Sequence, residues 1–254
     1  MKHIYIISLI LFSFLYSKAE DKVKIIEKET VTFSSLRLET GFSFTEIESV
    51  DSNGGKLRLI SKSNIGVGLG YTEYWSKEHV TSLKANFNQI SFNVPNLLNI
   101  ESTEASLLSF GINHTYNFNE NLRLNLGAYL SEEIFIRAKN STTLTLDKFL
   151  NPLVKSEVEY DFVDTNNFKI GSNLNIEVSA PFKAERYEST EGNYEVDPSL
   201  GTGASIYARK FLNGYSIEGS IFYKRKNAKT SITEQITSNQ GLTLRLAIPF
   251  GYNK

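Results

Sequence analysis

No cysteine occurs in the 254 residues. An exported chain without cysteine has no disulfide framework, no thiolate metal site and no lipoprotein anchor, so its stability rests on packing and backbone pairing. Histidine is nearly missing as well, with His3, His79 and His114 alone, and the sequence pairs none of them for a metal. The five prolines (Pro95, Pro152, Pro181, Pro198, Pro249) all fall in predicted loops or at strand ends, as an unbroken β-ladder requires. After Tyr16 no apolar run approaches the roughly twenty residues that a spanning helix needs. An excess of one charge is also lacking: 27 Lys and Arg stand against 28 Asp and Glu, which gives no reason to expect nucleic acid. Gly66, Gly68 and Gly70 share one strand face with no helix after them, so no phosphate-cradling glycine loop is present. Glu132 and Glu133 are adjacent and point to opposite faces of a strand, so they form no carboxylate pair. These absences predict no catalytic residue, no metal and no cofactor, and the chain reads as a non-enzyme.

What is present begins with an export signal. Lys2 and His3 make a short basic start, Ile4 to Tyr16 is apolar, and Ser17-Lys18-Ala19 places small residues where a signal peptidase reads them. Residues 1–19 are therefore predicted to be a signal peptide cleaved before Glu20. Its removal takes Lys2 and Lys18 and no acid, leaving 25 cations against 28 acids, a net charge of −3. Export without spanning helices leaves a secreted soluble protein or an outer-membrane barrel, and the periodicity of the rest separates the two.

From Ser34 onward, apolar and polar residues alternate with the period of two that a strand with two unlike faces demands. In one predicted strand Leu108, Phe110, Ile112, Tyr116 and Phe118 share a face, interrupted only by His114. In the next, Leu122, Leu124, Leu126, Ala128 and Leu130 do so. Ten such segments are predicted, each about as long as a tilted strand crossing a bilayer. Their connections alternate long and short, so both termini lie on the short-turn side. A soluble sandwich has no reason to alternate in this way, whereas outer-membrane barrels do. Asp51 to Gly55 reads as a turn, Asn213-Gly214 as a tight hairpin, Lys183 to Pro198 as a long acidic loop, and Arg225 to Gln240 as a polar loop. The longest predicted connection is Glu133 to Ser156. A hairpin hidden in Thr142 to Leu146 would raise the count to twelve. The third strand shifts its apolar face at Ile90 and Phe92, which predicts a β-bulge there.

The predicted fold is thus an all-β, ten-stranded antiparallel up-and-down transmembrane barrel over 34–254, preceded by a periplasmic lead-in over 20–33. Aromatics gather at the short-turn ends: Tyr71, Tyr74, Trp75, Tyr116, Phe118, Phe162, Phe168, Phe211, Tyr215 and Phe250 are predicted to form an interfacial girdle. The inward face carries Arg37, Glu39, Arg123, Asp161, Lys169, Glu177, Arg209, Glu218 and Arg245, and mutual pairing is expected of charges held there. Nine inward glycines leave room for bulky neighbours such as Tyr129, Tyr207 and Phe222. Ten strands enclose little more than the eight whose side chains just fill a barrel, so a narrow or blocked lumen is predicted.

In this pattern the chain resembles the small outer-membrane β-barrel proteins of Gram-negative bacteria, from Ser34 to Phe250, by architecture and not by a motif. The last strand resembles the signal read by the barrel-assembly machinery, with alternating apolar residues and an aromatic end, although Gly251 to Lys254 follow Phe250. The resemblance implies residence in the outer membrane, with its lipid and that machinery as partners. It implies a narrow small-solute pore or a structural membrane protein. The alternative is a surface platform for binding or adhesion through the long loops, and more distantly a membrane-embedded hydrolase. Ten strands also invite comparison with the omptin proteases, which work through acidic residues and a histidine at the outer rim. His79 and His114 are predicted at the opposite end. No sequence feature names a solute, a loop ligand or an oligomeric state.

Overall fold

A computed structural model describes residues 33–51, 54–93, 99–100, 104–138, 143–165, 167–184, 194–212, 215–230 and 233–250. The predicted signal peptide, the lead-in before Phe33, the Asn213-Gly214 turn and Gly251 to Lys254 lie outside these residues. Ten long strands form the wall: β1 (Phe33–Asp51), β2 (Lys56–Tyr74), β3 (His79–Asn93), β4 (Glu104–Asn117), β5 (Leu122–Ala138), β6 (Thr143–Thr165), β7 (Phe168–Ser179), β8 (Leu200–Leu212), β9 (Tyr215–Lys229) and β10 (Thr233–Phe250). Each pairs antiparallel with its neighbours in sequence, and β1 pairs with β10 from Ser34↔Phe250 to Asp51↔Thr233, which closes the barrel. Through the apolar belt closure leaves no free sheet edge, so each strand finds its ladder partners inside the wall there, as a hydrocarbon surround demands.

The alternation predicted from sequence sets the two faces. Leu36, Leu38 and Phe42 on β1, Ile65, Val67 and Leu69 on β2, and Leu242 and Leu244 on β10 point outward and are exposed, forming an apolar belt. Every second residue points inward. The wall needs glycine where bulky groups lie against it: a Cβ on Gly111 would collide with the Tyr129 ring, and one on Gly171 with the Tyr207 hydroxyl.

Four sequence expectations are corrected. Most of Glu133 to Ser156 is strand and not a connection, because β5 and β6 pair continuously from Leu122↔Tyr160 to Ala138↔Leu144. Among the described residues no further long wall strand arises there, and the two-residue strand Asn99–Ile100 pairs parallel with Thr143 and Leu144 at the edge of β6. Likewise Arg225 to Gln240 largely extends β9 and β10, which pair as far as Lys229↔Glu234. Within 180–199 a small hairpin joins Phe182–Ala184 to Tyr194–Val196. Finally, β3 carries no bulge. The irregularity lies on β2, between Ser61 and Ser63, and β3 runs on with Ile90 and Phe92 facing inward like Lys84, Asn86 and Asn88 before them. The apolar residues change face because their surroundings change from lipid to water outside the barrel.

Candidate functional site

Beyond the belt, at the long-hairpin end, the interior turns apolar. Ile47 of β1, Leu59 of β2, and Ile90 and Phe92 of β3 form a buried cluster with Ile134 and Ile136 of β5. The neighbours of β5 in the wall are β4 and β6, so this contact places the β5–β6 hairpin across the barrel mouth. Its other face is covered too, with Phe135 and Phe149 packed on Val196 and on Ala228 of β9. Gln235 of β10, 3% exposed, holds the hairpin by its backbone. Its Nε2 donates to the Ile134 carbonyl at 2.7 Å, and its Oε1 accepts from the Ile136 N–H at 3.0 Å. The amide thus stands in for a strand neighbour on an edge that β4 no longer covers. Ser49 Oγ also donates to the Ile136 carbonyl at 3.2 Å, and Lys226 pairs with Glu133 below.

Under this lid the lumen is polar. A cavity of about 350 Å³ is lined by Lys84, Lys155, Glu157, Glu177, Lys224 and Arg245 among others. A second of about 190 Å³ lies toward the short turns and shares Lys84, Tyr129, Lys155, Glu157 and Arg245 with it. The predicted inward charges are brought together in a belt around these spaces. Arg123 meets Glu159 at 2.6 Å and Asp161 at 2.7 Å, Arg209 meets Glu218 at 2.5 Å and Glu159 at 3.4 Å, and Arg245 meets Glu218 at 2.7 Å and Glu39 at 2.6 Å. Lys169 reaches Asp161 at 3.4 Å and Asp164 at 2.7 Å, and Glu177 lies 3.8 Å from Lys224. Arg123 also donates to the Tyr207 hydroxyl at 2.9 Å, which itself bonds to Asp161. The Tyr207 hydroxyl lies against Gly171 of β7, so the contact runs along the inner wall from β8 past β7 to Asp161 of β6 and Arg123 of β5. Arg37 stands apart from the belt's pairs.

Four further charges belong to this arrangement. Glu157 and Glu159 sit where alternation puts them, on the inward face of β6. Lys84 is legible the same way, between outward Leu83 and Ala85. Lys155, which pairs with Glu157 at 2.7 Å, falls within the segment that reads as a connection. Gln235 carries no sequence signal, since its role depends on a hairpin docking from the far wall.

At the short-turn end Tyr71, Trp75, Tyr116, Phe118, Phe162, Phe168, Tyr215 and Phe250 are exposed on the exterior, where a girdle would lie. Phe211 departs from the expectation: it shares the inward parity of Tyr207 and Arg209 and lines the short-turn mouth beside Lys169. Tyr74 is likewise inward and lines the smaller cavity. His79 and His114, distant in sequence, are brought together on the outside, with Nδ1 and Nε2 3.2 Å apart and Thr81 Oγ1 3.2 Å from His114 Nδ1. Among the described residues no group of three or more His, Cys, Asp or Glu could hold a metal ion.

No family model and no curated protein sequence matches this chain. Solved structures do. The outer membrane protease OmpT from Escherichia coli superposes with a TM-score of 0.51 at 11% identity, over 90% of this chain and 100% of that one. An outer membrane channel from Pseudomonas putida F1 matches with a TM-score of 0.47 at 12% identity, over 90% and 100%. The β domain of the Bordetella autotransporter BrkA matches at 0.41 and 10%, over 87% and 100%. The fold is that of a Gram-negative outer-membrane β-barrel. With its closed wall and apolar belt, the barrel belongs in that membrane. The non-enzyme expectation is corrected here, because a protease is among the barrels this chain resembles, so the architecture gives no argument against catalysis. At 11% identity the likeness concerns the fold, and it does not establish an activity.

Proposed function

We propose that this outer-membrane barrel is a narrow, gated pore for small polar solutes, shut at rest by the β5–β6 hairpin. One observation carries the reading: a polar, charge-lined lumen lies beneath an apolar lid that is fastened to the wall by few polar contacts. A purely structural barrel needs no such cavity, since inward side chains of a narrow barrel can fill it. The lid end faces outward in this reading, as the long connections of outer-membrane barrels do. A cysteine placed at Lys229 is then labelled on intact cells and one at His79 is not.

The test is planar-bilayer recording. Wild type is expected to show little or no steady conductance, and Gln235→Ala is expected to conduct more because its hairpin is released. Arg209→Ala combined with Glu218→Ala should also conduct more. That double variant removes two long luminal side chains and leaves Arg245 paired with Glu39. Large, steady wild-type currents would sink the gated reading. Silence from all three proteins would leave a structural role ahead.

A further inference from the structure

The smaller luminal cavity holds an arrangement that the belt does not use. Six cations line it: Arg37, Lys84, Arg123, Lys155, Arg209 and Arg245. Four of them meet carboxylates within 3 Å. Among the described residues, Arg37 and Lys84 make no ion pair and no side-chain hydrogen bond. They lie in one row of the wall on either side of Gly70, with Arg37↔Gly70 and Gly70↔Lys84 in register, so nothing larger than hydrogen separates them. The next row toward the short turns contains Thr72, Ser82 and Asn113, again in register and again lining the cavity. Thr72 and Asn113 are 3% and 6% exposed, yet Thr72 Oγ1 and Asn113 Nδ2 have no hydrogen-bond partner. The Asn113 amide is oriented by the Tyr129 hydroxyl, which donates to its Oδ1 and leaves the N–H₂ as an unused donor.

Unpartnered buried polar atoms and unpaired inward cations each cost free energy, and they are uncommon together. Here they converge on one space of about 190 Å³, and the groups able to donate are a guanidinium, an ammonium, an amide and a hydroxyl. We infer that this cavity is a binding site for a small oxyanion, a phosphate or a carboxylate, held by Arg37, Lys84, Asn113 and Thr72. A guanidinium suits the planar, two-oxygen edge of such a group, and charge-assisted hydrogen bonds are the strong ones. The inference deepens the pore reading, on which its place in transport rests, by naming the class of solute. Binding itself is testable without conduction.

The experiment is calorimetric titration of the detergent-folded, full-length barrel with inorganic phosphate. Wild type is expected to show saturable binding. Arg37→Gln combined with Lys84→Gln is expected to lose at least about tenfold in affinity, since each removes a charge-assisted contact. Arg58→Gln, which deletes an exposed cation at the far end, should bind as wild type does. Absence of saturable binding to wild type, or equal affinity in the double variant, overturns the site. If the double variant does not fold, wild type still decides: phosphate should slow acylation of Lys84 by an amine-reactive reagent, and lack of protection overturns the site. The two readings fail separately. Phosphate binding with bilayers silent for wild type and for both pore variants leaves the site standing and removes the pore. A conducting barrel that binds no phosphate does the reverse.

Discussion

On β2, Leu69 points outward and is 59% exposed, while Leu59 on the same strand points inward and is 1% exposed. The strand is continuous between them apart from the irregularity at Ser61 and Ser63. Through the belt the barrel is apolar outside and polar inside. At the lid end it is apolar inside, with Arg58 and Glu46 paired on the exterior. Backbone and hydrogen-bonding pattern are common to both halves, so sidedness is set by what surrounds each half. Hydrocarbon takes the apolar face in one half, and water drives it inward in the other.

The sharpest way to break this comparison is to place one charge on each half of one strand. Leu69→Arg puts a cation inside the belt and should cost about 2–4 kcal/mol. Ile60→Arg, also outward and exposed but at the lid end, should cost no more than about 1 kcal/mol, the level seen near membrane interfaces. Denaturant titration of folding into lipid vesicles, read by heat-modifiable gel mobility, measures both. Equal costs would mean that the lipid boundary does not lie between these two residues.

The second test addresses how the lid end is fastened. Gln235→Ala leaves the Ile134 carbonyl and the Ile136 N–H without that partner in a buried setting, a loss of about 1–3 kcal/mol. Gln235→Glu should be worse still. It keeps the acceptor for Ile136 but sets a carboxylate against the Ile134 carbonyl. Limited proteolysis of the folded protein is the measurement, with cleavage in the β5–β6 hairpin rising in both variants. Unchanged cleavage would show that apolar packing alone seats the hairpin.

The same comparison explains what could be read from the sequence. Within the belt every strand was legible, because a single rule assigned outward Leu, Ile and Phe. The inward charges, Lys155 excepted, followed from the same alternation, and so did their expectation of pairing. At the lid end that rule inverts, so Ile90 and Phe92 suggest a bulge that is not there. Ile134, Phe135 and Ile136 break alternation altogether, because both faces of their hairpin are buried, and they read as a connection. Phe211 misleads for a related reason, since an aromatic at a strand end reads as interfacial whichever face it takes. The oxyanion site needed register. Arg37, Lys84, Thr72 and Asn113 come from four strands, and only pairing through Gly70 and Ser82 makes them neighbours.

The smallest effect separates an ion pair in water from those in the lumen. Glu46 and Arg58 pair on the outside of the lid end, where the Arg58 guanidinium, by its hydrogen bond, holds the Glu46 carboxyl below its usual value. A carboxyl whose folded pKa is depressed stabilises the fold at pH values above its unfolded pKa of about 4.3, and that contribution is lost as pH falls through the folded value. Both side chains are solvated, at 33% and 61% exposure, so salt screens the pair and the gain in stability is slight. The titration itself is the better readout. Following the Glu46 carboxyl by NMR, wild type should titrate at lower pH than Arg58→Ala, and the gap should shrink as salt is raised. In contrast, Arg209 and Glu218 are mostly enclosed and should hold their 2.5 Å pair at salt concentrations that abolish the Glu46 shift. If wild type and Arg58→Ala titrate together at low salt, the exterior pair does not persist in solution, and the lid end is held by its apolar interior and its inward polar contacts.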